Sequence, residues 1–172
     1  MTTSAKKSAP LKAAKTGQLM TGVAGPAHLD GGATVKSDGA KYETTAFAGS
    51  AAQVIDDMRR GIPANVIPGL ASRLGVSQDS LFVALRLPPS TMKGRISKNQ
   101  PLSASEQDRM YRADRVWWRA VEVLEDEGAA RAWINRSNRS LGGEAPLTLL
   151  DTEVGYELVL DTLGRIEYGV VS

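Results

Sequence analysis

Cysteine is absent from the 172 residues, and histidine occurs once, as His28 in a Gly/Ala-rich stretch. The first absence removes disulfides, thiolate nucleophiles, iron–sulfur clusters and most structural zinc sites. The scarcity of histidine leaves a single example, in a poor context, of the commonest general base and metal ligand. The chain is therefore not expected to be an enzyme, and no catalytic residue, metal site or cofactor is assigned. Carboxylate chemistry among Glu122, Glu125, Asp126 and Glu127 stays open, but that run reads more simply as the solvated end of a helix. No apolar run of about 18 residues exists to span a membrane. The lysines at Lys6 and Lys7 are not followed by the apolar core of a secretory signal. Cytoplasmic residence without membrane association is the expectation.

What is there is a globular balance of 42% hydrophobic and 23% charged residues, enough for one or two packed domains. The formal charge is only +2, yet it is unevenly spread. Six Lys face three acidic residues up to Ala48; nine basic residues face five acidic ones from Gly49 to Arg112; six basic residues face eleven acidic ones from Ala113 onward. A basic middle followed by an acidic end suggests two surfaces with two partners.

Residues 1–48 are rich in Ala, Gly, Thr, Ser and Lys without sustained periodicity, and read as a disordered basic arm. The texture changes at Gly49. Ser50 can cap a helix carrying Val54, Ile55 and Met58 that stops at Gly61. Ile67, Leu70, Ala71 and Leu74 predict a second helix ended by Gly75. Ser77 can cap a third, with Leu81, Ala84 and Leu85 inward, and Pro89 suits the first turn of a fourth carrying Met92 and Ile96. Ser103 and Glu106 form an S-x-x-E capping box. It opens a long helix on which Met110, Ala113, Trp117, Ala120, Val121 and Leu124 recur at three- and four-residue steps until Gly128. A further helix carries Ala129, Ala132 and Trp133, a Leu141-Gly142-Gly143 turn precedes Pro146, and Asp151 or Thr152 caps a last helix. Tyr156, Val159, Leu160, Leu163 and Ile166 form its apolar face, Gly169 ends it, and Val170-Val171-Ser172 is left as a tail. Strand alternation of useful length is missing, so the expected fold is all-α. A helix-turn-helix domain (49–101) is followed by a small helical domain (102–172).

Two registers fit a helix-turn-helix. One runs from Leu70 to Leu85, with Ala71, Gly75 and Leu81 at the small, turn and core positions. The other takes Ser77 to Leu85 as first helix and Ser90 to Ser97 as recognition helix. It places Ser90, Thr91, Lys93, Arg95 and Lys98 on or beside an exposed face, where hydroxyls suit phosphates and an Arg can grip a guanine edge. The second register is preferred, because in the first the exposed residues would be Gln78, Asp79 and Ser80, and Asp79 would face phosphate charge. Proteins of this kind commonly pair two recognition helices across a symmetric operator, so a homodimer is expected, its surface left open.

From about Leu102 to Tyr168 the chain resembles the toxin-binding domain shared by the Xre, MbcA and ParS antitoxins. The residues that carry the resemblance are Leu102-Ser103-x-x-Glu106 with Arg109, Val123-Leu124, and Ala129-Ala130-Arg131-Ala132-Trp133-Ile134. They continue with Asn138, Leu141-Gly142-Gly143-x-x-Pro146-Leu147-x-Leu149-Leu150, Thr152-x-x-Gly155, and Leu163-x-Arg165-Ile166-x-Tyr168-Gly169. Residues Ser77 to Asn99 look like the helix-turn-helix of the Xre members, although Arg86 and Pro88 replace the turn residues common there. The resemblance implies a partner, a RES-domain toxin that consumes NAD+, whose active-site entrance the antitoxin covers, and an operator in the chain's own promoter that the complex represses. The toxin-binding residues expected on this basis are Leu141, Gly142, Gly143, Arg165, Tyr168, Gly169, Val170 and Val171. A competing expectation is a free-standing helix-turn-helix regulator whose C-terminal domain dimerises or binds a small ligand.

Overall fold

A computed structural model describes residues 47–169, so residues 1–46 of the expected arm and Val170, Val171 and Ser172 lie outside the described residues. Among the described residues the regular structure is helical: α1 (Ala51–Arg60), α2 (Val66–Leu74), α3 (Gln78–Ala84), α4 (Pro89–Ser97), α5 (Ala104–Leu124), α6 (Glu127–Asn135) and α7 (Glu153–Glu167). Two short 3-10 turns, Arg139–Leu141 and Pro146–Leu149, lie between α6 and α7. No helix among the described residues is long and apolar enough to cross a membrane.

Helix starts follow the local chemistry. Ser50, Ser77, Asp126 and Thr152 each accept a hydrogen bond from a backbone N–H of the first turn they open, satisfying donors that have no partner inside the helix. The predicted capping box is formed, with the Ser103 N–H donating to Glu106 Oε2 at 2.6 Å. Gly75 ends α2 in the left-handed conformation at φ +69°, which costs a glycine nothing.

Two expectations about the helices need correction. The long helix α5 ends at Leu124 rather than at Gly128: Glu125 turns into the left-handed region at φ +55°, and Asp126 accepts from Ala129 N to start α6. Gly128 thus lies inside α6. The inner face of α6 is also one residue away from the one predicted. Ala130 and Ile134 are buried, Ala129 and Ala132 are exposed, and Trp133 is half-buried on a groove of about 430 Å³ with Leu124, Arg136 and Arg139.

One buried cluster runs through both halves of the described chain, from Val54, Ile67, Leu70 and Phe82 to Trp117, Ile134, Leu150 and Leu163. Phe47, assigned by sequence to the arm, belongs to it and meets Tyr111 edge-on at 5.6 Å between ring centres. Polar contacts then join the first four helices to α5 and α6. Arg131 Nε donates to the Arg73 carbonyl and Asn135 Nδ2 to the Leu74 carbonyl, each at 2.8 Å. These are orphan carbonyls at the end of α2, where a cation also meets the negative end of the helix dipole. Arg109 does the same for the end of α3, donating to the Leu85 and Arg86 carbonyls at 3.2 and 2.8 Å. Arg73 in turn pairs with Asp114 of α5 at 2.8 Å, the Asp114 side chain being almost fully buried.

Candidate functional site

Two surfaces carry the residues singled out by sequence. The first is built by α2, α3 and α4. Gly75, Val76 and Ser77 make a three-residue connection that turns the chain from α2 into α3. Leu81, Phe82 and Leu85 anchor α3 in the core, which leaves Gln78, Asp79, Ser80 and Val83 facing solvent. On α4, Met92 is buried and Ser90, Thr91 and Lys93 are exposed, with Lys98 exposed just beyond the helix end.

Lys93 Nζ lies 2.8 Å from Asp79 Oδ1, so α4 neutralises the one acidic group on the exposed start of α3. That removes the reason for preferring the second helix-turn-helix register over the first. The structure also takes Arg95 out of the exposed set. Its Nη1 donates to the Pro101 carbonyl at 2.6 Å and lies 3.3 Å from Glu106 Oε2. The guanidinium is spent on holding the end of α4 to the start of α5. Sequence reasoning named Gln78 without favouring it and missed Val83, which is 70% exposed. Leu81 to Leu85 is an unbroken apolar run, and periodicity cannot say which member of such a run faces out.

The second surface lies on α7 and the turn that packs beside it. Leu141 is buried and so supports the turn from below rather than offering itself to a partner. Gly142 and Gly143 are exposed at φ +69° and +88°, and an added Cβ would meet nothing within 4 Å at either. Their requirement is conformational, as other residues reach that region at a cost. The turn is closed by Asn138, whose carbonyl accepts from Leu141 and Gly143 and whose N–H donates to Glu144. Gly155 is different in kind. An added Cβ there would sit 2.0 Å from the Leu149 carbonyl oxygen, so glycine alone lets α7 lie this close to the preceding 3-10 turn.

Arg112 fixes the start of α7, donating to the Leu150 carbonyl at 2.9 Å and the Asp151 carbonyl at 3.1 Å and pairing with Glu153. Arg119 of α5 pairs with Glu167 and so holds the other end. Beyond that clamp Tyr168 is 80% exposed and Gly169 turns at φ +67°. Arg165 is exposed and pairs with Asp161 one turn back at 2.7 Å. The structure thus brings Arg165, Tyr168 and Gly169 to one end of α7, while Val170 and Val171 lie outside the described residues. No group of three or more His, Cys, Asp and Glu placed to hold a metal occurs among the described residues.

Comparison with known proteins gives two family matches. Residues 53–113 match the antitoxin Xre-like helix-turn-helix domain, and residues 119–169 match the antitoxin Xre/MbcA/ParS C-terminal toxin-binding domain. The chain belongs to the Xre/MbcA/ParS antitoxins. Among its relatives is an Antitoxin Xre of Yersinia enterocolitica, 28% identical over 120 residues, or 69% of this chain and 81% of that one. A Prs ADP-ribosylating antitoxin of a Sphingobium species is 26% identical over 67% of this chain and 78% of its own length. An Antitoxin Xre of Pseudomonas putida is 31% identical over 48% of this chain and 52% of its own. The two matched domains meet within α5, the helix whose arginines tie the halves together. A helix-turn-helix domain and a toxin-binding domain in this antitoxin family make antitoxin the function of the chain.

Proposed function

We propose that this antitoxin neutralises a RES-domain, NAD+-consuming toxin in the cytoplasm by covering its active-site entrance. The observation that carries this is the exposed end of α7, where Tyr168 projects from a helix clamped at both ends. A rigid ridge loses little freedom on docking, and Tyr and Arg are the residue types that most often anchor interfaces. Gly142 and Gly143 shape the turn beside it, Leu141 supports that turn, and Arg165, Gly169, Val170 and Val171 complete the surface. The acidic balance of the C-terminal segment suits a cleft built to bind a nucleotide's phosphates.

The same chain represses its own promoter through α3 and α4. On this reading α3 enters the major groove, Gln78 and Ser80 reach base edges, and Val83 meets a thymine methyl. Ser90, Thr91, Lys93 and Lys98 contact the phosphates on either side. Co-expression with the toxin encoded in the neighbouring reading frame tests the first claim. A chain ending at Ile166 is expected to bind operator DNA as the full chain does and to fail to restore growth. Full restoration of growth by that truncated chain would overturn it.

A further inference from the structure

Two sides of α6 are occupied within the fold. Ala130 and Ile134 are buried in the core, and Arg131 and Asn135 hold the end of α2. A third side is open. Ala129, Ala132, Trp133 and Arg136 follow at steps of three, one and three residues, which gathers them on one face. With Leu124 and Arg139 they line the groove of about 430 Å³, a size within the usual range of small-molecule sites. The two alanines give it a low apolar floor beside the Trp133 ring. That ring stands apart from the other tryptophans. Trp117 is buried with Arg131 over its face, and Trp118 donates to Asp114. Trp133 is half-buried, with no cation over its ring and no partner for its indole N–H among the described residues. Arg136 and Arg139 are exposed, and neither guanidinium has a hydrogen bond or ion pair among the described residues. No described acidic residue lines the groove.

We propose that this groove binds a nucleoside phosphate, its base against Trp133 over the Ala129 and Ala132 floor and its phosphates held by Arg136 and Arg139. Two chemistries meet in one place. A flat indole and an apolar floor suit a planar base, whose stacking on an aromatic ring is tolerant of which base it is. Two guanidinium groups with no partner inside the fold offer planar donor forks that match phosphate oxygens. An inorganic anion would leave the apolar floor bare, and an uncharged ring would leave both cations unpaired. A molecule that carries both parts uses the whole groove. None of these residues belongs to the surfaces assigned to toxin or operator, so the site goes beyond those readings.

The test is calorimetric titration of the full-length chain with ADP, and separately with adenosine and with inorganic phosphate. ADP is expected to bind at one site per chain, with adenosine and phosphate each weaker by about tenfold or more, since each fills half of the groove. Arg136→Ala and Arg139→Ala are each expected to weaken ADP about tenfold and to leave adenosine unchanged. Their side chains are exposed, so helix content should not alter. Trp133→Ala is expected to weaken both adenosine and ADP about tenfold while leaving phosphate unchanged. No heat with ADP, ADP binding that survives both arginine substitutions undiminished, or inorganic phosphate binding as tightly as ADP would each overturn the proposal. Neither toxin nor DNA enters the titration, so failure here and failure of the neutralisation reading are separate results.

Discussion

Arginine at this scale is a structural residue before it is a binding one. Arg73, Arg95, Arg109, Arg112, Arg119 and Arg131 all reach carbonyls or carboxylates inside the fold. The Arg73–Asp114 pair is the most consequential. Burial pushes the Asp114 carboxyl above its ordinary range, while Arg73, with lesser help from Trp118 and Arg115, pulls it back. Removing Arg73 strands a buried carboxylate, so Arg73→Met is expected to cost about 3 kcal/mol at neutral pH. The sign of its pH dependence follows. A carboxyl whose pKa is raised by folding holds its proton more tightly in the folded state, so its contribution is complete below the ordinary value of 3.8 and is lost as pH rises through the folded one. Without Arg73 the folded value rises further, and the deficit of Arg73→Met against wild type should shrink on acidification. Urea midpoints measured at descending pH check this; a deficit independent of pH would contradict it. Gly155→Ala belongs at this scale too. Its methyl would collide with the Leu149 carbonyl, and displacement of α7 should cost about 2–3 kcal/mol, read as a lowered thermal midpoint.

Capping governs how the elements join. Arg131 and Asn135 satisfy the last carbonyls of α2 from α6, and Arg131 also lies over the Trp117 ring at 5.3 Å. Asn135→Ala removes one such bond and should lower stability by about 1 kcal/mol, with α2 amides exchanging faster with solvent than those of α5. On the reading surface, Lys98→Ala should weaken operator binding evenly across sequences and reduce the salt slope by about one, whereas Gln78→Ala should relax preference at one base pair at a cost of about 1–3 kcal/mol. The helix starts at Ser50, Ser77 and Ser103 were legible in the sequence, because a cap is local chemistry, and the last was narrowed to Asp151 or Thr152, of which Thr152 is the cap. Trp117 as core was legible too. The inner face of α6 was not, since Ala129, Ala130, Ala132, Trp133 and Ile134 suit either side of a short helix. The engagement of Arg95 was not either, for its partners come from the turn into α5 and the first turn of that helix. Of the candidate surface on α7, the sequence offered residues in the family's order, but not that Leu141 lies beneath the turn beside it.

At the scale of the described molecule, a helix-turn-helix domain and a toxin-binding domain share one buried cluster, joined through α5 and α6. A surface read by DNA and a surface offered to a protein thus sit on a single packed body rather than on a flexible link. The claim that matters most is that the end of α7 closes the toxin's entrance. The direct measurement takes the proposed partner, a RES-domain toxin purified from the neighbouring reading frame, and follows its NAD+ turnover in titrations with this chain and with the chain ending at Ile166. Turnover that falls to background as the full chain becomes equimolar, and persists with the shortened chain, is the result predicted here. Undiminished turnover in an excess of the full chain would contradict it.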